Sequence, residues 1–133
     1  MNPTLEPLHR ARAAEKAQTL FYRRLAVAAE AADDPGTAER LNGLLADEQH
    51  HLSRLTARLL ELGEAVDDLA DADTPLADLA TWEDTARVRE SAEIARYQAM
   101  PAGLDEVTRA LIAEILETER NHQRELGGKW TMA

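Results

Sequence analysis

Glu48-Gln49-His50-His51 and Glu119-Arg120-Asn121-His122 each place a histidine three residues after a glutamate. On an α-helix, side chains three apart leave the same face, so a carboxylate and an imidazole at this spacing can close on one cation. Carboxylate oxygen and imidazole nitrogen together suit iron, manganese or zinc, with availability deciding among them. One such step in a glutamate-rich helical chain is commonplace at the surface. Two carry more weight, because the chain has only four histidines.

The elements that must position these residues are legible from breakers and periodicity. The first helix is predicted from Pro7 to Ala32, ended by Asp33-Asp34-Pro35-Gly36. The second starts near Thr37, which offers a cap, and stops at Leu62-Gly63. An acidic segment from Gly63 to Trp82 reads as a long crossover with a short helical turn around Leu76 to Leu79. The third helix runs from Glu83 to Met100, closed by Pro101-Ala102-Gly103, and the fourth from Asp105 to Leu126, ended by Gly127-Gly128. Lys129 to Ala133 form a loosely held tail.

Short, long and short connections predict an all-α fold: a four-helix bundle of two antiparallel hairpins joined by a crossover, in one domain over residues 1–133. The halves echo each other. Glu15 is followed seven residues later by Tyr22, and Glu90 seven later by Tyr97, and each of these helices precedes one with a Glu-x-x-His step.

Register decides which acids point inward. In the second helix Leu41, Leu44, Leu55, Leu59 and Leu62 form a stripe at spacings of three and four that includes Glu48 and His51. The competing pair Asp47 and His50 aligns instead with Gly43, Arg54 and Glu61, a solvated face. In the fourth helix Ile112, Ile115 and Leu126 share a stripe with Glu119 and His122. Leu8, Ala11, Glu15, Thr19, Tyr22, Ala26 and Ala29 align on the first helix, with Gln18 at the margin. On the third, Ala86, Glu90, Glu93, Ile94 and Tyr97 cluster, so both glutamates can reach inward. Burying an unpaired carboxylate costs roughly several kcal/mol. Divalent cations or an internal hydrogen-bonded network would offset that cost. Tyr22 and Tyr97 need partners for their hydroxyls, which a nearby ligating carboxylate would provide. His9, His50 and the run Glu61, Glu64, Asp67, Asp68 read as surface, and Trp82 and Trp130 as caps.

Composition narrows the function classes. Ala, Leu, Glu and Arg dominate, with one Phe, two Tyr and two Trp, a helical vocabulary. A net charge of −10, from 25 acidic and 15 basic residues, leaves no basic footprint for nucleic acid. No apolar run is long enough for a membrane span, and the N-terminus lacks the pattern of a secretory leader, so a cytoplasmic protein is expected. The absence of cysteine excludes disulfides, iron–sulfur clusters and a thiol nucleophile within the chain.

On Glu15, Glu48-x-x-His51, Glu90-Ser91-Ala92-Glu93 and Glu119-x-x-His122, the chain resembles the ferritin-like superfamily, and most of all the rubrerythrin di-iron domain, over residues 8–126. The resemblance implies two iron ions, with manganese or zinc as possible replacements. Glu48 and Glu119 would bridge them, Glu15 and Glu90 would be terminal ligands, and His51 and His122 would add nitrogen. Glu93 would be the extra carboxylate that exchanges with a histidine as the irons change oxidation state. Two departures stand out. There is no cysteine for a rubredoxin module, so electrons must come from a separate donor protein. Glu15 and Glu48 are 33 positions apart but Glu90 and Glu119 only 29, which brings Glu90 nearer than Glu93 to the level of Glu119, at about 1.5 Å of rise per residue.

The implied activity is two-electron reduction of hydrogen peroxide or dioxygen, with Tyr22 and Tyr97 supporting the chemistry from beside the ligands. Iron oxidation and handling is an alternative, as is a helical interaction protein whose metal motif has degenerated. The Ala-rich faces left on the first and third helices suggest a homodimer.

Overall fold

The computed structural model describes residues 2–72 and 74–128. A short 3₁₀ turn, Pro3–Leu5, leads into four helices: α1 (Glu6–Ala31), α2 (Pro35–Glu61), α3 (Trp82–Gln98) and α4 (Glu106–Gly128). No strand occurs among the described residues. The described residues are thus all-α with four long helices, none of them long and apolar enough to cross a membrane. Trp130 and the rest of the expected tail lie outside the described residues.

Local chemistry sets the boundaries. Asp33 adopts φ 56° just past the end of α1. Its N–H donates to the Glu30 carbonyl, and the Asp34 N–H to that of Ala29 at 3.0 Å, which satisfies carbonyls that α1 leaves over. Asp34, rather than the expected Thr37, caps α2: its side chain accepts from the Thr37 N–H at 3.2 Å, and Pro35 opens the helix where no N–H is needed. Gly63, with φ 83°, ends α2 by the same device, and here a glycine meets the left-handed backbone without a side-chain penalty.

The described residues between 62 and 81 carry no helix, so the helical turn expected around Leu76 to Leu79 is not formed. Asp78 organises a turn there instead. Its Oδ1 accepts from the Ala80 and Thr81 N–H groups and the Thr81 hydroxyl, feeding the chain into α3 at Trp82. At the other end α3 stops at Gln98, two residues before the predicted limit, because Pro101 disfavours helical backbone in the residue before it. Asp105 accepts from the Thr108 N–H and hydroxyl at the start of α4. Arg58 of α2 reaches the same carboxylate at 2.7 Å, which locks two helices together and holds Asp105 at a pKa of about 2 through the Thr108 and Arg58 donors.

The interior divides into two apolar clusters. One joins Phe21, Leu25 and Ala29 of α1 with Ala38, Leu41 and Leu44 of α2, Trp82 and Ala86 of α3 and Leu126 of α4. Trp82 is a core residue here, with the Arg40 guanidinium 5.2 Å above its ring. The other joins Leu8 and Ala11 of α1 with Leu55 and Leu59 of α2, Tyr97 of α3 and Leu111, Ile112 and Ile115 of α4. Every helix therefore passes from one cluster to the other, and its acidic ligand candidates lie on the stretch between.

Leu41 and Leu55, one in each cluster, are fully buried. Leu41→Ala and Leu55→Ala are each expected to cost about 2–5 kcal/mol in urea unfolding of the metal-free chain. A loss within about 0.5 kcal/mol, the range of surface substitutions, would show that these leucines do not form the core.

Candidate metal centre

Between the two clusters the stripes meet. Glu15, Glu48, Glu90 and Glu119 have no solvent exposure, and Glu93, His51 and His122 are buried as well. The seven residues nominated from the sequence are therefore all inside. The sequence left α3 open between its two glutamates, and both are in the interior.

Six of the seven form two sets that share two members. Glu15, Glu48, His51 and Glu119 bring one ligand atom each within 4.8 Å of one another, and so do Glu48, Glu90, Glu119 and His122. Ligands about 2.1 Å from a common ion stand about 3–4 Å apart, so both sets have the spacing of a coordination sphere. His51 Nδ1 lies 3.4 Å from Glu48, 3.6 Å from Glu15 and 3.9 Å from Glu119. His122 Nδ1 lies 3.1 Å from Glu119, 3.5 Å from Glu90 and 3.8 Å from Glu48. The two imidazoles are matched, each turning the same nitrogen to three carboxylates. Glu93 belongs to neither set. Arg96 donates to its Oε1 at 3.2 Å, one turn along α3.

Neighbouring side chains aim the carboxylates. The Tyr97 hydroxyl donates to Glu15 Oε2 at 2.5 Å, and the Tyr22 hydroxyl to Glu90 Oε1 at 2.8 Å. Each tyrosine thus serves the glutamate of the other half. Gln18 adds a longer bond to Glu90 Oε1 at 3.4 Å, and its own oxygen accepts from Arg89, whose guanidinium sits 4.9 Å over the Phe21 ring. His122 Nε2 stands 2.8 Å from Asp47 Oδ2.

Gln18, Arg89 and Asp47 were not singled out from the sequence as part of the site. Gln18 had a signal, since Glu15, Gln18 and Tyr22 are spaced by three and four on one face. Asp47 had none along its own helix. It lies beside the inward stripe and meets His122 only because α4 packs there. His9, expected at the surface, is half-buried, with Nε2 2.9 Å from Glu64 Oε1 at the start of the crossover, whereas His50 is exposed.

So many acids in one apolar layer change their proton affinity. Burial raises the pKa of Glu48, and the charges of Glu15, Glu119 and Glu90 add to it. Glu119 is raised for the same reasons, with adjacent His122 and Glu48 only partly offsetting. Burial and the Glu15 charge lift Glu93 to about 8. For both histidines burial opposes the charged form, but the carboxylates around them outweigh it and raise the pKa. Tyr22 and Tyr97 are pushed up by burial and by Glu90 and Glu15 respectively, so both hydroxyls stay protonated donors.

The clearest sign of what fits here is what the protein leaves unbonded. Nine buried side-chain nitrogen and oxygen atoms lack a hydrogen-bond partner among the described residues: Glu15 Oε1, both oxygens of Glu48 and of Glu119, Glu90 Oε2, Glu93 Oε2, and Nδ1 of His51 and His122. All nine belong to the seven nominated ligands. Buried polar atoms are ordinarily satisfied, and all of these except the Glu93 oxygen belong to residues of the two sets. Two divalent cations would engage the oxygen and nitrogen donors together and offset most of the carboxylate charge. The residues present fit such a pair.

Between the ordinary carboxyl value and about 8, the folded metal-free chain holds protons that the unfolded chain has released. Its stability must fall as pH rises through that window. Cations compete with the same protons, so their affinity must rise. The melting temperature of metal-free protein is expected to drop between pH 5 and pH 8, and added manganese(II) to restore it, by more at pH 8. Parallel pH profiles with and without manganese would refute this electrostatic account.

Comparison with protein families, with curated proteins and with solved structures returns no match for this chain.

Proposed function

We infer that the chain is a non-haem di-iron oxidoreductase of the rubrerythrin type, reducing hydrogen peroxide or dioxygen with electrons from a separate donor protein. The observation that carries this reading is the pair of four-residue sets sharing Glu48 and Glu119. Shared carboxylates imply two ions at bridging distance rather than two independent sites.

The fold part of the reading is the ferritin-like bundle. Its support is the order in which each helix meets the two clusters. Leu8 of α1 belongs to the same cluster as Leu55 and Leu59 near the end of α2, while Phe21 and Leu25 join Leu41 and Leu44 near its start. This order supports an antiparallel pairing of α1 with α2, and the same reasoning from Ala86, Tyr97, Ile112 and Leu126 supports one of α3 with α4. Residues 62–81 then return along the bundle. Extended, they reach about 60 Å, ample for the roughly 26 Å of a 17-residue helix.

Bound there, a pair of ferrous ions would supply two electrons to an O–O bond without releasing a radical, and the donor protein would return them. The protein's part is to hold, shield and donate protons. Glu48 and Glu119, common to both sets, would be shared by the two ions. Tyr22 and Tyr97 fix Glu90 and Glu15 and keep a proton on each hydroxyl beside the centre. The apolar clusters on either side keep bulk water away. Glu93 is buried, with one oxygen bound by Arg96 and the other unpartnered, so it is a carboxylate in reserve next to the centre.

Glu48 serves both sets, so its loss should damage both. Anaerobically loaded wild type is expected to hold two irons per chain. Glu48→Ala should hold fewer than one, with peroxide turnover reduced by more than the roughly 10–100-fold typical of losing an outer partner. Two irons and normal turnover in Glu48→Ala would end the proposal. Iron accumulating far beyond two per chain in the wild type would move the reading to iron oxidation and storage.

A further inference from the structure

His51 and His122 occupy equivalent places in the internal repeat, yet their rings are held differently. Each turns Nδ1 to three carboxylates. At its other nitrogen His122 meets Asp47 Oδ2 at 2.8 Å, whereas the ion pairs of His51 among the described residues all run through Nδ1. Asp47 directly precedes Glu48 on α2 and reaches across to α4. Its counterpart, directly before Glu119, is Thr118, whose hydroxyl donates to the Glu114 carbonyl on its own helix at 3.3 Å. The repeat is broken at this pair.

The terminal glutamates do not break it in the same way. Glu15 and Glu90 each spend one oxygen on a tyrosine and keep the other unpartnered. Glu90 has Gln18 in addition, at the longer 3.4 Å. The larger difference between the halves is therefore at the imidazoles.

An imidazole that gives its Nδ1 lone pair to a cation keeps its proton on Nε2. A carboxylate accepting that N–H fixes the tautomer and the ring plane, and makes Nδ1 the stronger donor. Asp47 is well placed for this. Its backbone is continuous with Glu48, so one turn of α2 carries both a shared carboxylate and the anchor of the ring from α4. Asp47 and His122 also line a surface cleft of about 800 Å³ between α2 and α4, and the Asp47 side chain is 52% exposed while that of His122 is 4%. Asp47 therefore holds the ring from the solvent side without entering the centre.

We propose that Asp47 is a positioning residue that presets His122 as a ligand, so that the Glu48, Glu90, Glu119 and His122 set takes its cation first and more tightly than the Glu15, Glu48, His51 and Glu119 set. This rests on the reading that both sets hold cations. It adds that the two positions are unequal, and names the residue that makes them so.

Cobalt(II) titration of the full-length metal-free chain, followed by visible absorption and calorimetry, tests it. The wild type should fill in two unequal steps of one ion each. His122→Ala should abolish the tighter step and His51→Ala the weaker one. Asp47→Leu should weaken the tighter step by about 10–100-fold and leave the weaker one in place, and Asp47→Asn, which keeps an acceptor without the charge, should lose less. Because Asp47 is half-exposed, these variants should keep the wild-type helical circular dichroism, and Asp47→Asn is close enough in shape to carry the test if the leucine variant does not fold. Wild-type affinities in both Asp47 variants, or loss of the tighter step in His51→Ala instead of His122→Ala, would overturn the inference while leaving the metal centre intact. A wild type that takes up no cobalt would remove the centre itself, and the inference with it.

Discussion

Five glutamates and two histidines share a buried layer between two apolar clusters, with nine polar atoms that lack a hydrogen-bond partner among the described residues. Ionised together without a counter-charge, the acids would repel strongly at low dielectric. The fold tolerates the layer because the helices above and below it bury leucines and aromatics that fix the backbone whatever the acids do. The price is a metal-free protein under electrostatic load, in which burial pushes Glu48, Glu93 and Glu119 toward the protonated form. Cations held there would relieve that load, which would link the centre to the stability of the whole domain.

Much of this was legible in the sequence because helical spacing is a direct map of direction. Glu48 and His51 fall on the leucine stripe of α2, and Glu119 and His122 on the isoleucine stripe of α4, so register alone sent them inward. Most chain turns were legible for the same local reasons, but the cap of α2 passed from Thr37 to Asp34, the turn at Leu76 to Leu79 is not helical, α3 stops at Gln98 and α4 runs on through Gly127 and Gly128. Counting from the α3–α4 turn also ranked Glu90 ahead of Glu93, and only Glu90 falls within a set.

What stayed hidden depends on contacts between helices. Asp47 lies on the wrong face of α2 by any periodic rule, yet it meets His122 because the two helices pass side by side. Gln18 was assigned to a margin, but α3 packs over it and makes it a link between Arg89 and Glu90. The crossover lacks periodicity, and its course follows from tertiary tethers: Arg12 donates to the Asp67 carbonyl at 3.0 Å, and His9 pairs with Glu64.

The crossed tyrosines have a consequence for assembly. Tyr22 of α1 serves Glu90 of α3, and Tyr97 of α3 serves Glu15 of α1. Each four-residue set likewise borrows one carboxylate from the opposite helix pair. Neither pair alone can complete a coordination sphere or steady its own terminal glutamate. A nascent or damaged chain with only half its helices docked would therefore lack a full set of donors for a cation, and a complete set would come together only when the last two helices close.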